Sequence, residues 1–244
     1  MTTDKPVPRT HLGVLASATA THGTGSPDDI ALPRLPGFVE SAFSPLAYEV
    51  AGRCLAELPA GGGSRTAVAL AALLGDTTTA DLASSRMVAG RVHNPLLFMQ
   101  ATPNSVLGHL SREFGITGQM FSLSTLDDAL TELLAMADLL LEDPELDRVL
   151  VLGVELGGGE RAAAVYRELV VGEHPLAGRP ANAGRAAALL LARPGAGVPV
   201  TIRADETHDS VTWSAACPGS IQGLFDLAAT HSEARKETQT HAHQ

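Results

Sequence analysis

The chain has 244 residues, 45% of them apolar and 18% charged, with a formal net charge of −10. That composition describes a globular protein with one substantial core, and the acidic balance excludes a nucleic-acid surface, which needs clustered lysine and arginine. No window approaches the roughly 18 apolar residues of a membrane span, so the chain is expected to be soluble and cytoplasmic, without membrane contact.

Residues 1–10 are polar, carry two prolines and read as a flexible lead-in. The segment HLGVLASATA (11–20) reads as a strand. It ends in a signal-peptidase-like Ala-Thr-Ala, but its apolar run is shorter than the roughly 7–15 residues of a secretory signal. The Gly- and Pro-rich stretch THGTGSPDDIALPRLPGF that follows is long for a loop in a compact domain and is expected to cover something. In SPLAYEVAGRCLAEL, Ser44 is a candidate N-cap and Pro45 a candidate first helical residue. TAVALAALL is a short apolar run of the kind that makes a strand buried on both faces. Asp76 to Thr79 can cap a helix reaching about Ala89, and Thr102-Pro103 marks another helix start after a turn at Asn94-Pro95.

TGQMFSLSTLDDALTELL (117–134) runs from a strand into an amphipathic helix. In α/β enzymes such a turn often carries a nucleophile, yet Ser124-Thr125-Leu126-Asp127 offers no cysteine, no histidine and no Gly-x-Ser-x-Gly elbow. Asp127 and Asp128 suit the first turn of the helix, where the macrodipole favours negative charge. RVLVLGVEL (148–156), AGRAAALLLAR (183–193) and VPVTIRAD (198–205) read as further strands, the last two joined by a short Pro/Gly turn as an antiparallel addition. PGSIQGLFDLAATH reads as a last helix, with residues 231–244 a polar disordered tail. Strands alternating with helices predict an α/β fold, a mostly parallel sheet with helices on both faces, in one domain over 11–230.

The motifs exclude several chemistries. The run Gly157-Gly158-Gly159 after a strand does not meet G-x-G-x-x-G, so a nucleotide-binding module lacks its phosphate loop. The nine histidines form no H-E-x-x-H or Cys/His cluster, so no metal and no cofactor are expected. His109 is expected to pack or to face solvent. Cys54 and Cys217 follow no metal or redox spacing and read as buried thiols in a reducing compartment.

The order of pieces is informative. TPNSVLGHLSREFGITGQMFSLST, a helix, RVLVLGVEL and NAGRAAALLLAR, together with the opening HLGVLASATATHGTG, resemble the N-terminal half of β-ketoacyl synthases of the thiolase fold over most of residues 11–193. In that family the strand ends Ser-Thr-Ala-Cys, and the cysteine opens a buried helix. Here the nucleophile position falls on Leu126 or Asp127, neither of which can form a thioester. The family's C-terminal half carries two catalytic histidines. Here residues 194–244 stand in its place, and the segment TWSAACPGSIQGLFDLAA, similar to the last such motif, holds no histidine.

A shortened ketosynthase fold without its nucleophile resembles a chain length factor of type II polyketide synthases, of the highly reducing, polyene-forming kind. The resemblance implies a truncated thiolase-like fold and no catalytic residue. It implies a heterodimer with a catalytic ketosynthase through the strand Met120, Phe121, Ser122, Leu123, Ser124 and Thr125. It also implies contact with acyl carrier protein mainly through that ketosynthase, whose positive patch an acidic chain would need. Leu97, Phe98, Met99 and Thr102, with Phe121 nearby, are the expected wall or gate of an acyl channel. The competing expectation is an independent hydrolase or decarboxylase acting on carrier-bound acyl groups through Ser124 or Asp127. A truncated thiolase half is further expected to expose an apolar face.

Overall fold

A computed structural model of the chain describes residues 11–56, 58–59, 61–91, 96–124, 126, 128–169, 174–201 and 219–242. Six strands form one sheet in the order β3-β2-β4-β5-β1-β6, where β1 is His11–His22, β2 Thr66–Ala71, β3 Met120–Leu123, β4 Arg148–Leu156, β5 Gly184–Ala192 and β6 Val198–Thr201. β2 pairs in parallel with β3 and β4, whereas β5 is antiparallel to both β4 and β1, and β6 is antiparallel to β1. Four strands therefore run one way and two the other, which makes the sheet mixed. The lead-in 1–10, Cys217 and Ile202–Asp205 of the expected last strand lie outside the described residues.

The expected hairpin of the last two strands does not form. β5 is buried along its whole length and lies inside the sheet between β4 and β1, while β6 pairs on the far side of β1. The connection crosses β1 at Gly13, where a Cβ would meet the Ala196 carbonyl oxygen at 1.5 Å, so only glycine fits there. Pro199 in β6 suits an edge, because proline has no N–H to give a ladder.

Helices cover both faces. On one face α1 (Phe43–Leu55) and α4 (Pro103–Phe114) pack on alternate residues of β1, β2, β4 and β5. Leu35 and the partly buried Ile30, Leu32 and Phe38 close this layer, so the long loop after β1 does cover part of the core. On the other face α5 (Ala129–Leu140) and α7 (Gln222–Ala242) pack on Val149, Val151, Ala187, Leu189 and Leu191. Gly153 admits α7, since a Cβ there would come within 2.8 Å of both Ile221 and Leu224 side chains.

Local chemistry sets the helix starts. Asp76 caps α2 (Thr77–Val88), its carboxylate accepting from Thr79 N–H at 3.0 Å and Thr79 Oγ1 at 2.7 Å. Thr102 precedes Pro103 at the first position of α4, as expected. Two expectations shift. α1 begins at Phe43 after the N-cap Ala42, which has no side-chain cap, and Ser41 Oγ just upstream accepts from Phe43 N–H at 3.1 Å. Ser44 and Pro45 thus sit in the first turn, where a missing N–H breaks no helical bond. Asp128 is the N-cap of α5 rather than part of its first turn, accepting from Thr131 N–H at 2.9 Å and Thr131 Oγ1 at 2.6 Å.

The expected disordered tail from residue 231 is helical through Ala242. His231 is buried, and its Nδ1 lies 2.8 Å from Ser17 Oγ on β1. Cys54 is buried within α1. His109 packs, set edge-on between the rings of Phe38 and Tyr48 at 6.0 and 5.6 Å.

Candidate functional site

The C-terminal ends of β2, β3 and β4 open onto one edge of the sheet, the side where α/β folds place their chemistry. At the end of β3, Ser124 Oγ donates to the Leu73 carbonyl at 2.7 Å. That leaves the hydroxyl engaged with backbone, and among the described residues no basic side chain hydrogen-bonds it. Leu126 beyond it is 59% exposed. Thr125 and Asp127 lie outside the described residues. Leu126 is thus the exposed side chain of this turn among the described residues, and Asp128 is engaged in capping α5.

β3 itself is an edge strand. It pairs only with β2 among the described residues, and all four of its residues are half-buried. Its side chains alternate: Met120 packs toward α1 and α4, Phe121 and Leu123 toward α5. The bonds Val68 N–H to Gln119 O (2.9 Å) and Ala72 N–H to Leu123 O (3.1 Å) fix which peptides face β2. By the alternation of a parallel ladder, the N–H and C=O groups of Met120 and Ser122 face outward.

The expected gate residues divide. Leu97 in α3 (Leu96–Gln100) is 3% exposed and belongs to the core, whereas Phe98 is 41% and Met99 62% exposed. Thr102 Oγ1 donates to Met99 O at 2.8 Å, and Ser105 Oγ bonds the same carbonyl, which fixes the short segment between α3 and α4. Phe121 lies on the opposite face of the sheet from α4, so α3 and Phe121 do not line one enclosed space within this chain. Val39, Met87, Val88 and Leu96 are exposed beside Phe98 and Met99, and an Arg86–Glu40 pair at 3.6 Å joins the loop to α2. α2 touches α3, α3 touches α4 and α4 touches β3, so this apolar surface lies on the flank that ends in the β3 edge.

A second feature went unread in the sequence. Glu155 on β4 and Arg185 on β5 are register partners and are 4% and 7% exposed. Arg185 Nε donates to Glu155 Oε2 at 2.6 Å, and its Nη1 donates to Gln222 Oε1 at 2.6 Å. Glu155 Oε1 accepts the Ile221 N–H at 2.8 Å, so the carboxylate sits at the start of α7, where the helix dipole favours it. The Arg185 guanidinium lies 5.3 Å from the Phe225 ring centroid. The buried pair thus ties β4, β5 and α7 together.

Beside this pair, His174 stacks on Tyr166 of α6 (Glu160–Leu169) at 3.8 Å between centroids. His174 Nδ1 accepts from Leu176 N–H at 3.2 Å, and Nε2 stands 3.9 Å from Glu155 Oε2. Burial pushes the His174 pKa below the usual histidine value, against the pull of Glu155. Burial, with Glu155, pushes the Tyr166 phenol well above the usual tyrosine range. The two rings border a cavity of about 560 Å³ behind the Gly157–Gly159 run. A lone Glu and a lone Arg in otherwise apolar buried strands were the available signal for this network.

Among the described residues no group of three or more His, Cys, Asp or Glu is placed to hold a metal, and no helix is long and apolar enough to cross a membrane.

By sequence, no protein-family model and no curated protein matches the chain. Among solved structures it is similar to the complex of the ketosynthase ApeO with its chain length factor ApeC from Xenorhabdus doucetiae. That match has a TM-score of 0.53 at 16% identity and covers 78% of this chain and 81% of the other, so the two chains are of comparable length. It is also similar to AntDE:AntF, a type II PKS acyl-carrier protein in complex with its ketosynthase bound to the hexaketide, with a TM-score of 0.52 at 13% identity, covering 76% and 64%. A third likeness is to the ishigamide ketosynthase/chain length factor, with a TM-score of 0.50 at 15% identity, covering 67% and 47%. At these identities the likeness is one of fold. The chain has a thiolase-like α/β fold of the ketosynthase type, in shortened form.

Proposed function

We propose that this protein is a chain length factor: a subunit without a nucleophile of its own that pairs with a catalytic ketosynthase during chain elongation on acyl carrier protein in polyketide biosynthesis. The observation that carries the reading is at the end of β3, where an edge strand that pairs only with β2 among the described residues leads into a turn with Leu126 exposed; this reading takes Leu126 or Asp127 as the nucleophile's position, and neither can form a thioester. An edge of Met, Phe, Ser and Leu with no charge or proline is the kind that natural proteins cover. A counterpart strand pairing with Met120–Thr125 would extend the sheet across a heterodimer. The match to a complex of a ketosynthase with its chain length factor, over a chain of comparable length, supports the shortened form.

In this reading the exposed α3 side chains Phe98 and Met99, with Thr102, complete the wall of an acyl channel only when the ketosynthase is in place. Leu97 holds that wall from within the core, while Phe121, on the other face of the sheet, belongs to the β3 edge that the ketosynthase would cover. A growing chain stops where the next unit has no room, since forced overpacking costs about 1–3 kcal/mol. The ketosynthase supplies the chemistry and, because this chain carries a net charge of −10, most of the contact with an acidic carrier protein. The polyene-forming class and a cytoplasmic location belong to the same proposal.

Reconstitution tests it. Elongation on acyl carrier protein by the cognate ketosynthase should require this chain, and Met99→Ala or Phe98→Ala should lengthen the product. Full elongation by the ketosynthase alone, with unchanged product lengths, would overturn the reading. Of the two residues on which the hydrolase alternative rests, Ser124 has its Oγ bonded to a backbone carbonyl, and Asp127 lies outside the described residues.

A further inference from the structure

The cavity behind the glycine run is lined by residues of this chain alone, from α6 and residues 174–181, and adjoins α2 through the Arg161–Asp81 pair and the bond from Thr78 Oγ1 to the Ala181 carbonyl. Its volume of about 560 Å³ falls in the range of small-molecule sites. The walls are mainly apolar: Gly157, Gly158, Ala163, Leu176, Ala177 and the rings of Tyr166 and His174.

Three polar side chains border the cavity. The Tyr166 ring is buried, and its hydroxyl, which no described residue hydrogen-bonds, is open to a partner from the cavity. Arg167 and Arg179 border the same cavity, and neither has a carboxylate within salt-bridge distance among the described residues. Two other arginines nearby are paired, Arg161 with Asp81 at 2.6 Å and Arg185 with Glu155 at 2.6 Å. Arg167 Nε donates to the Ala163 carbonyl at 3.2 Å, so in a chain of net charge −10 the remaining Arg167 N–H groups and Arg179, without a carboxylate, form an anion-seeking rim on one apolar cavity. Arginine's planar fork matches a carboxylate in particular. Glu160 also borders the cavity and disfavours a dianion such as phosphate.

We propose that this cavity binds a small amphipathic monocarboxylate, its apolar body along Ala163, Leu176 and the Tyr166 ring and its head held by the Tyr166 hydroxyl, Arg167 and Arg179. The site would give the protein a small-molecule input separate from its elongation role. The proposal does not depend on that role.

The test is isothermal titration calorimetry of octanoate into the full chain, in complex with its ketosynthase if it purifies that way. Butyrate, which lacks the apolar body, and octanol, which lacks the charge, are the comparators. Octanoate should bind saturably with one site per chain, at least about tenfold tighter than either comparator. Arg179→Gln, at an exposed position, should weaken octanoate about tenfold and leave octanol unchanged. Ala163→Trp, also at an exposed position, should fill the cavity and abolish binding of both. Tyr166→Phe should weaken octanoate several-fold without lowering the unfolding temperature. Absence of saturable octanoate binding, equal affinity for octanol, or undiminished binding by Ala163→Trp would each overturn the proposal. Because the readout is binding and not elongation, failure here leaves the proposed function standing, and failure of the elongation assay leaves this site standing.

Discussion

The outward peptides of β3 give a sharp test of edge pairing. Gln119 and Leu123 carbonyls bond β2, so the Ser122 N–H faces away from it, and Ser122→Pro removes a donor that this chain does not use. Proline is tolerated on such an outward edge position, and the stability of the chain should change by under about 1 kcal/mol. A counterpart strand, by contrast, would lose its bond to Ser122 and leave a buried carbonyl unpaired, at about 1–3 kcal/mol. That corresponds to roughly a 5–150-fold weaker complex. Phe121→Pro is the control, since its N–H faces β2 and its loss costs this chain a bond of its own. Titrating the labelled chain with ketosynthase gives the affinity, and urea unfolding gives the stability. A Ser122→Pro variant that binds its ketosynthase as tightly as the wild type would refute edge pairing. One that unfolds as readily as Phe121→Pro would refute the assignment of outward peptides.

Other expectations follow from the buried polar groups. Arg185→Met leaves Glu155 buried without its cation and should cost about 3–5 kcal/mol in urea unfolding, a large part of the roughly 5–15 kcal/mol typical of a domain. The double change Glu155→Leu with Arg185→Met should recover most of that loss, less the bond to Ile221 N–H. His231 titrates below its ordinary value because it is buried, with Arg235 adding to the shift. Between the folded value and the unfolded value of about 6.5 the unfolded chain holds more protons, so stability rises with pH through that window and is lost as pH falls below it. His174 shifts the same way, so melting temperatures recorded from pH 7.5 to 5 should fall. His231→Leu should flatten part of that fall.

What the sequence made legible is what local chemistry decides. β2, β4 and β5 are short apolar runs buried on both faces, and Asp76 and Thr102-Pro103 mark helix starts that formed where expected. Strand order is not local, so the interior place of β5 and the passage of the chain over Gly13 to β6 could not be read from alternation. Ser44-Pro45 misled because proline is admissible throughout a first turn, and the N-cap, Ala42, has no side-chain oxygen to mark it. The polar composition after residue 231 suggested disorder, yet one face of α7 carries Ala228 and the buried His231 onto β1. The Glu155–Arg185 pair escaped notice because each residue alone is an ordinary charge, and only the β4–β5 register sets them opposite one another. Within the segment expected to form the gate, burial separates Leu97 from the exposed Phe98 and Met99, a difference that local sequence does not carry.

A shortened thiolase half is expected to expose an apolar face, and the exposed large apolar side chains include Met87 and Val88 on α2 and Leu96, Phe98 and Met99 on the adjoining α3. On α5 the outermost residues are mixed, Asp138 beside Leu139, so that layer is not a second face of the same kind.

The partner-subunit account is tested most directly by mass. Co-expressing this chain with the ketosynthase encoded beside it, tagging only one of the two and weighing the purified species by native mass spectrometry should give a complex with equal numbers of both chains. Recovery of this chain alone, as a well-behaved monomer or homodimer with no ketosynthase attached, would contradict it.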